Sequence, residues 1–430
     1  MFCGSCMQDN TLARALRLAG ADAVLLPTYT PIRVDEDNES TSRIFLGGIN
    51  VYLDSKLPGW RLLPRIFKRW LDRPGVVRFL SKRSSTDARQ LGALTIDLLR
   101  GMHGPQNAEI QELIDFLCDE LQPDVVLFSN ALLSGIVPAL KSRFHGRIGC
   151  LLQGDDIFLE ALAEPWRSQA RDLVSINAAS LDRVFTHSRY YSKFMSRYLN
   201  LPAAVFRTIP LTIDAESHLS NQDLHVRAGR IDLDARAEVS GGKRTTIGYF
   251  ARICPEKGAF HFLHAAEDVI RQRQDIDFVI AGYLPELHRA QFENHLQALQ
   301  SLAGQSRIRW EGSPADRDGK FKILSTFDWL CVPTEYHEPK GIYVLEAALA
   351  GVPSLLPNHG AFPERIEDLK FGQLYEPGSR KSLVDAIFNL PSIASGSDSR
   401  NITLRDRCIE FYGLSTTGPK ILAMLEDLID

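Results

Sequence analysis

The sequence predicts an α/β protein with two domains, each built on a parallel β-sheet that helices cover on both faces. The first observation is the length, because 430 residues exceed what one ordinary hydrophobic core holds. The second is a rhythm of short apolar strands and helices that runs from about 110 to 209 and restarts at 246. The third is the polar stretch between these runs, which has little apolar periodicity. The expected parts are a first domain (1–213), a linker (214–243), a second domain (244–400) and C-terminal helices that cross back to the first domain (401–430).

The composition is that of a soluble globular protein, with 44% hydrophobic residues, 24% charged residues and a formal charge of −4. No apolar run approaches membrane-spanning length, and the N-terminus lacks a signal-peptide pattern. The seven cysteines do not form a disulfide framework, and an odd count without an export signal predicts a cytoplasmic protein. Cys3 and Cys6 form a C-x-x-C pair, but no second cysteine or histidine pair stands at zinc spacing, so we predict no metal site.

One segment, from Lys56 to Ser84, carries nine basic residues and a single acidic one. Trp60, Phe67 and other aromatic residues are interleaved with the basic ones. Such a stretch suits peripheral contact with an anionic membrane. It equally suits a cleft for an acidic acceptor, or a solvated helical face with a few core anchors. The protein as a whole is acidic and has no nucleic-acid-binding module, which argues against a nucleic-acid partner.

The first residues look like the small-residue turn that normally follows the first strand of a nucleotide-binding α/β domain. This turn contains Gly4, and we assign Gly4 to the acceptor side of the site. A helix from about Asn10 to Leu18 and a strand from Ala23 to Pro27 follow. The strand that should precede the turn is missing, although it is central in a doubly wound sheet. We therefore expect the natural chain to begin upstream of Met1.

Two predicted strands of the first domain end at polar residues. One strand, 148–152, is followed by Gln153 and Asp155, and another, 183–187, ends at His187. Ser188 then has the side chain of a helix N-cap. Ligands of parallel sheets bind beyond the carboxyl ends of the strands, so Gln153, Asp155 and His187 are candidates for the acceptor side of a site.

In the second domain, two carboxylates flank a glycine turn. Glu338 precedes Gly341, and Glu346 lies in the short helix that follows. The positive helix end, with the backbone N–H groups of Ile342 and Tyr343, suits a phosphate, and the carboxylates suit hydroxyls. The neighbours of Glu346 are apolar, so we expect a buried carboxylate whose partners are ligand hydroxyls.

A second cluster of candidates follows the strand 246–250. Arg252 and Lys257 stand just before a helix, where two cations and a helix N-terminus suit a diphosphate. Gly248, within that strand, is placed with the donor-binding residues. Glu364 opens a later helix and is either a helix-dipole residue or a further hydroxyl contact.

These motifs resemble those of retaining glycosyltransferases of the GT-B fold, of the family 4 (glycosyl transferases group 1) type. The resemblance rests on E-x7-E (Glu338 to Glu346), R-x4-K-G (Arg252 to Gly258), the segment 346–353, and Gly360 to Glu364. The first domain resembles the family more loosely, through 129–130, 152–155 and 186–188. The expected fold is therefore GT-B, with two Rossmann-like doubly wound domains that face a cleft.

The resemblance also implies roles. Arg252 and Lys257 would hold the donor diphosphate and stabilise charge on the leaving nucleotide. Glu338 would orient the transferred sugar, and Glu346 would hold the donor ribose. The implied reaction transfers a sugar from a nucleotide-diphospho-sugar to an acceptor with retention of configuration, without a metal or other cofactor.

Two positions depart from the family pattern. Gln153 stands where many relatives have histidine, and Lys340 stands where an aromatic residue is usual. Glutamine cannot act as a base, so only a sugar-contact role remains for Gln153. The alternatives are a GT-B-type sugar-nucleotide epimerase, which needs no acceptor, a phosphorylase, or a non-catalytic sugar-nucleotide-binding protein. The motifs do not name the donor base, the donor sugar or the acceptor, which can be a glycan, a lipid-linked molecule or a small molecule.

Overall fold

The structure is a computed structural model that describes residues 4–29, 31–32, 34–46, 88–215, 244–391 and 398–429. The basic segment 56–84 and nearly all of the predicted linker 214–243 lie outside the described residues. The chain divides into two compact units. The first domain comprises residues 2–210 and 418–430, and the second comprises residues 211–417.

The first domain contains a parallel sheet of four strands in chain order, β1-β2-β3-β4. Its strands are β1 (Val125–Phe128), β2 (Arg147–Leu151), β3 (Arg183–Thr186) and β4 (Phe206–Thr208). Its helices are α1 (Gly4–Leu18), α2 (Ala88–Leu99), α3 (Asn107–Asp115), α4 (Val137–Lys141), α5 (Asp155–Glu160), α6 (Trp166–Ala178) and α7 (Arg189–Tyr198). Short 3-10 or π turns lie at Gly101–His103, Phe116–Leu121, Ala131–Ile136 and Ala203–Val205.

Both faces of this sheet are covered, as the apolar strands predict. Ile148 and Cys150 of β2 point into one core, and Leu151 points into the other. The second core is completed by Leu12 of α1 and Ile421 of the last helix, Leu414–Ile429. The prediction that a C-terminal helix returns to the first domain is therefore confirmed.

The second domain has a six-stranded parallel sheet in the order β10-β9-β8-β5-β6-β7. Its strands are β5 (Thr245–Phe250), β6 (Ile276–Ala281), β7 (Ile308–Trp310), β8 (Trp329–Cys331), β9 (Ser354–Pro357) and β10 (Gln373–Tyr375). Its helices are α8 (Ala259–Gln272), α9 (Glu286–Ala303), α10 (Arg317–Leu324), α11 (Ile342–Leu349), α12 (Phe362–Leu369), α13 (Arg380–Phe388) and α14 (Asp398–Tyr412), and a 3-10 turn lies at Pro255–Lys257. The strand order reverses between β5 and β8, and this switch point is where doubly wound sheets bind ligands.

The predicted crossing segment 401–430 begins too early. Leu404, Cys408 and Tyr412 of α14 are buried in the core of the second domain. The return to the first domain starts only at Gly418, which packs so closely on the carbonyl oxygen of Ala15 that a side chain would collide with it. The boundary therefore follows burial, which the helical pattern alone does not reveal.

The N-terminal elements also differ from their predictions. Helix α1 begins at Gly4, so Gly4 lies in a helical turn and not in a loop; residues 4–9 contain no proline or β-branched residue that would oppose a helix. The predicted strand 23–27 forms only an isolated bridge between Leu25 and Ser40. Of the predicted strand or hairpin at 43–53, the structure describes residues up to Leu46. No helix in the described ranges is both long and apolar enough to cross a membrane.

Candidate donor-binding site

Two loops meet at the switch point of the second-domain sheet. Arg252 and Lys257 follow β5, and Glu338 follows β8, its hydrogen-bonded neighbour. Parallel strands end at the same edge, so the two loops emerge side by side. Gly258 has a φ of +71°, and a side chain on it would collide with the carbonyl of Pro333. Only glycine permits this approach of the two loops.

The centre of the site is an ion pair between Lys257 and Glu338. Lys257 Nζ lies 2.8 Å from Glu338 Oε2, and Glu338 is only 5% exposed. The hydroxyls of Tyr336 and Tyr343 donate to the same oxygen at 2.9 and 3.3 Å. The other oxygen accepts from the backbone N–H of Gly341 at 3.3 Å. The two groups predicted to serve separate parts of the donor are thus bonded to each other.

These contacts keep the carboxylate of Glu338 ionised. Burial alone would raise its pKa, but the charge of Lys257 and the hydrogen bonds from Lys257 and Tyr336 outweigh burial and lower the pKa to about 2. Burial and the nearby carboxylate raise the pKa of Tyr336 and of Tyr343, so both phenols stay protonated. Glu338 is therefore a fixed anion that accepts hydrogen bonds, and it has no proton to donate at neutral pH.

The aromatic rings complete the surroundings of Lys257. Its Nζ lies 4.8 Å from the ring centroid of Tyr336 and 5.0 Å from that of Tyr343. These distances are in the range of cation–π contacts. Tyr336 was not among the predicted site residues, because its spacing in the sequence gives no sign of this role.

A close backbone contact holds Glu338 from its other side. Gly360 has a φ of +60°, and a Cβ there would lie 2.6 Å from the carbonyl oxygen of Glu338. The N–H of Ala361 donates to that oxygen at 2.8 Å. Alongside, the rings of His337 and His359 stack with centroids 4.7 Å apart. A larger residue at 360 would therefore displace the carboxylate's own backbone.

Gly341 begins α11 with a φ of +78°. A Cβ added there would meet nothing closer than 3.5 Å, so the conformation and not the space requires glycine. Ile342 and Tyr343 are the first residues of the helix. Their N–H groups lie in the first turn, which has no intrahelical acceptors and suits an anion.

Glu346 is buried as predicted, at 9% exposure, but its partner is a protein group. Lys320 Nζ of α10 donates to Glu346 Oε1 at 2.8 Å. Lys320 was not among the predicted site residues. It lies 26 positions earlier in the chain, and no local pattern marks it.

Three further residues were predicted on the donor side, namely Arg252, Glu364 and Gly248. Arg252 is exposed at the end of β5, where Tyr249 fixes the loop by donating to the carbonyl of Arg252 at 2.9 Å. Glu364 lies in the first turn of α12, which agrees with both of its proposed roles. Gly248 lies in the middle of β5, and a side chain there would collide with the ring of Phe327. Packing against Phe327 therefore explains why residue 248 is a glycine. A contact of Gly248 with the donor stays a prediction.

Lys340 is buried, and its backbone is tied to the domain core. Arg365 Nε donates to the Lys340 carbonyl at 2.9 Å, and Arg365 Nη1 donates to the Tyr412 hydroxyl at 2.7 Å. The charge of Lys340 is also one of the influences that lower the pKa of Glu338. Lys340 thus strengthens the anionic state of Glu338.

The comparisons with known proteins agree with this geometry. Residues 231–395 match the model of the family described as glycosyl transferases group 1. The matched range contains both loops, the glycine turn and both glutamates of the site.

Curated relatives match part of the chain. It is 29% identical to phosphatidyl-myo-inositol mannosyltransferase of Mycobacterium leprae over 40% of this chain and 43% of that protein. It is 26% identical to 2-deoxystreptamine N-acetyl-D-glucosaminyltransferase of Niallia circulans, over 40% and 42%. It is 26% identical to GDP-mannose-dependent α-(1-6)-phosphatidylinositol monomannoside mannosyltransferase of Mycobacterium tuberculosis, over 48% and 50%. These matches span about half the length of the relatives.

Solved structures resemble the fold over more of the chain. HepE of Anabaena in complex with UDP has a TM-score of 0.62 at 14% identity, over 94% of this chain and 100% of that one. Sucrose-phosphate synthase of Thermosynechococcus elongatus has a TM-score of 0.57 at 14% identity, over 75% and 79%. With two parallel-sheet domains, the fold is GT-B, as predicted.

In the first domain, Gln153 is joined to a residue that the sequence did not indicate. Its Nε2 donates to Asp9 Oδ1 of α1 at 2.7 Å and lies 3.4 Å from the carbonyl of Ser129. Gln153 is only 6% exposed. The side-chain amide of Gln153 thus lies beside a carboxylate. Gly4 lies in the first turn of the same helix, α1.

The side chain of Asp155 accepts hydrogen bonds from two backbone N–H groups. Its Oδ1 accepts from the N–H of Ala131 at 2.7 Å, and its Oδ2 accepts from the N–H of Gln153 at 2.8 Å. Burial raises the pKa of Asp155, although these hydrogen bonds oppose the rise. Asp155 therefore ties the ends of β1 and β2 together, and this accounts for its position without a ligand.

His187 is almost fully buried at the end of β3. Its Nδ1 lies 3.4 Å from the carbonyl oxygen of Ile209. Ser188 caps α7 as predicted, since its hydroxyl accepts from the N–H of Tyr191 at 3.1 Å. The acceptor-side roles of His187, Gln153 and Gly4 stay predictions.

Proposed function

We propose that this chain is a glycosyltransferase that transfers a sugar from a nucleotide-diphospho-sugar to an acceptor, with retention of anomeric configuration. The observation that carries the proposal is the Lys257–Glu338 ion pair at the switch point of a parallel sheet, next to Arg252 and the start of α11. An anionic and hydroxyl-rich ligand matches this combination of cations, helix N–H groups and fixed carboxylate.

Arg252 and the two residues of the ion pair, Lys257 and Glu338, each have a chemical role in this proposal. Arg252 and Lys257 bind the diphosphate and stabilise the negative charge that grows on the leaving nucleotide as the bond to the sugar breaks. Glu338 is ionised and accepts hydrogen bonds from hydroxyls of the transferred sugar, which orients its anomeric carbon. Lysine carries three donors, so Lys257 can keep its bond to Glu338 while it contacts a phosphate. The cations supply the electrostatic stabilisation, so we propose that the reaction requires no metal.

The relatives support the broad reaction. The names of those from Niallia circulans and Mycobacterium state transfer of N-acetylglucosamine or mannose, and one is named GDP-mannose-dependent. A similar structure, HepE, is described in complex with UDP-glucose. Because the matched relatives differ in donor, we propose the nucleotide-diphospho-sugar class and not one member of it.

A donor panel tests the proposal. The purified protein is incubated with UDP-, GDP-, ADP- and dTDP-sugars, and release of the nucleoside diphosphate is measured without acceptor. We expect slow hydrolysis of at least one donor, and its loss in Glu338→Gln and Arg252→Ala. Glu335→Gln is the matched control, because Glu335 is an exposed carboxylate in the same loop. Absence of both nucleotide binding and hydrolysis would contradict the proposal.

The same panel separates the alternatives. An epimerase would interconvert donor sugars without acceptor, which analysis of the recovered sugar-nucleotide detects. A phosphorylase would release sugar phosphate from a glycan in the presence of inorganic phosphate. A binding protein would hold a nucleotide-sugar without any turnover.

We also propose that the protein is cytoplasmic and contacts anionic membranes through the segment 56–84. Its nine basic residues motivate this, as do two relatives whose names include phosphatidylinositol or its myo-inositol form. Sedimentation with anionic and neutral liposomes at low and high salt is the test. We expect binding to anionic liposomes at low salt only, and equal partitioning would contradict it.

A further inference from the structure

The side chain of Lys257 is long, partly exposed and nevertheless held in one place. Its exposed fraction is 19%, so a ligand can reach the ammonium group. The backbone is fixed by Tyr249, whose hydroxyl donates to the carbonyl oxygen of Arg252 at 2.9 Å and lies 3.2 Å from that of Lys257. A fixed backbone does not set the rotamers of a flexible lysine stem. The side chain therefore needs contacts of its own.

Two tyrosine rings bracket the ammonium group. Lys257 Nζ lies 4.8 Å from the ring centroid of Tyr336 and 5.0 Å from that of Tyr343. The rings come from different elements, since Tyr336 lies in the loop after β8 and Tyr343 in the first turn of α11. The ion pair with Glu338 fixes the distance from Nζ to one oxygen, but it lets the ammonium group swing about that oxygen. Two rings in contact with Nζ restrict this swing, so they set the direction as well as the distance.

The two rings are themselves anchored. Tyr343 belongs to α11, and its ring centroid lies 6.1 Å from that of Phe362, a fully buried residue of α12. Tyr336 follows Glu335, whose N–H donates to the carbonyl oxygen of Glu256 at 3.0 Å. This bond joins the loop of Tyr336 to the loop after β5. Each ring therefore has a support that does not depend on the lysine.

The contacts with the rings leave the lysine available to a ligand. A cation–π contact is weaker than a charge-assisted hydrogen bond from lysine to a phosphate oxygen. Lysine has three N–H donors, and the bond to Glu338 uses one of them. A phosphate that approaches the exposed side of the ammonium group therefore gains a bond without breaking the ion pair.

We propose that Tyr336 and Tyr343 are positioning residues whose rings hold the ammonium group of Lys257 in a fixed position for the diphosphate of the donor. The inference rests on the proposed function, which assigns the diphosphate to Lys257. A side chain that is held before the ligand arrives loses less entropy on binding, which strengthens the binding. The rings carry this role, because they contact Lys257, whereas the hydroxyls contact Glu338.

Calorimetric titration of the full chain tests this with UDP, GDP and ADP and with the matching nucleosides. The quantity compared is the ratio of the affinities for diphosphate and nucleoside. In Tyr336→Leu and in Tyr343→Leu we expect this ratio to fall about fivefold, while the affinity for the nucleoside stays within about twofold of wild type.

Two kinds of control accompany these variants. Tyr336→Phe and Tyr343→Phe keep the ring, so the ratio should stay within about twofold of the wild-type ratio. Phe411→Leu is the matched control, since the ring of Phe411 lies 5.3 Å from the guanidinium of Arg407 in α14. It removes a ring from a cation–π contact elsewhere in the second domain and should keep the wild-type ratio.

The outcomes are distinct. If the folded Leu variants keep the wild-type ratio, or if the Phe variants lose as much as the Leu variants, the inference is overturned while the proposed function stands. An equal loss of nucleoside and diphosphate affinity would show a general structural role and would also overturn it. If wild type binds the diphosphate no more tightly than the nucleoside, the proposed function fails, and the inference fails with it.

Thermal unfolding shows which variants are folded. Where a Leu variant is not folded, methionine replaces leucine at that position, because its flexible side chain fills irregular gaps. The same outcomes then apply, and each of the two tyrosines gives a result independently of the other.

Discussion

The candidate-site carboxylates of the two domains are held in different ways. In the second domain, Glu338 and Glu346 each bond to a lysine at 2.8 Å. In the first domain, Asp155 bonds to backbone N–H groups, and Asp9 bonds to the amide of Gln153. The pKa of Glu338 is lowered, whereas that of Asp155 is raised by burial. A full opposite charge keeps a buried carboxylate ionised, whereas neutral donors do not fully offset burial.

This difference matches the two kinds of ligand proposed for the protein. A nucleotide-sugar brings phosphates and many hydroxyls, which suit preformed cations and fixed anions. An acceptor brings a hydroxyl, which suits the side-chain amide of Gln153 beside the carboxylate of Asp9.

The largest effect is expected from Lys257→Met. It leaves Glu338 buried without its cation, which costs about 3–5 kcal/mol in the free energy of unfolding. Glu338→Gln combined with Lys257→Met should recover most of the loss, because no charge is then stranded. Urea denaturation at pH 7 measures both variants, with Lys322→Met as the control. A loss below about 1 kcal/mol would mean that the pair is held like an exposed salt bridge.

Acid should weaken the second domain through the same pair. The pKa of Glu338 is about 2 in the folded protein against 4.5 as the ordinary value, so its contribution is complete above about pH 4.5. It is lost as the pH falls towards 2, and the shift corresponds to about 3 kcal/mol. Comparing the unfolding free energies of wild type and Glu338→Gln between pH 7 and 2.5 measures it. A difference that does not change with pH would contradict the lowered pKa.

Gly360→Ala should have a moderate effect, of about 1–3 kcal/mol on stability, with weaker nucleotide binding. A Cβ at this position meets the backbone of Glu338. Gly378→Ala is the matched control: Gly378 also has a positive φ, of +72°, but a Cβ there would meet nothing within 4 Å. Thermal unfolding of both variants separates backbone strain from the collision with Glu338. Equal losses would show that Gly360 does not position the carboxylate.

The smallest effect on donor binding is expected in the first domain. Gln153→Ala and Asp9→Asn should change the affinity for nucleoside diphosphates by less than about twofold, since both residues belong to the first domain and the proposed diphosphate cations belong to the second. Donor hydrolysis or transfer should fall while this affinity stays constant. Calorimetric titration and the hydrolysis assay together check this. A tenfold loss of nucleotide affinity in either variant would break the distinction between the two domains.

Local patterns predicted what depends on neighbours in the chain. The apolar strand β5, the Ser188 cap and the burial of Glu346 all followed from short windows of sequence. The pairing of Lys257 with Glu338 joins residues 81 positions apart, and the strand order that brings them together has no local signal. Lys320 and Asp9 were missed for the same reason, because each looks like an ordinary helix residue until its partner is known.

Two wrong predictions have physical causes of the same kind. Gly4 resembled a loop residue by composition, but nothing between Gly4 and Asn10 stops a helix, and α1 includes it. The crossing segment was placed too early because α14 and the last helix are nearly contiguous in sequence. Burial, which depends on the whole fold, decides where the chain changes domain.

The most direct test is the affinity of the protein for a nucleoside diphosphate compared with the matching nucleoside, in wild type and in Arg252→Ala. Calorimetry of wild type should give at least tenfold tighter binding of the diphosphate. Arg252→Ala should lose most of this preference, whereas Arg271→Ala, at an exposed arginine of α8, should keep it. Equal binding of nucleoside and diphosphate by wild type would contradict a diphosphate site at the switch point.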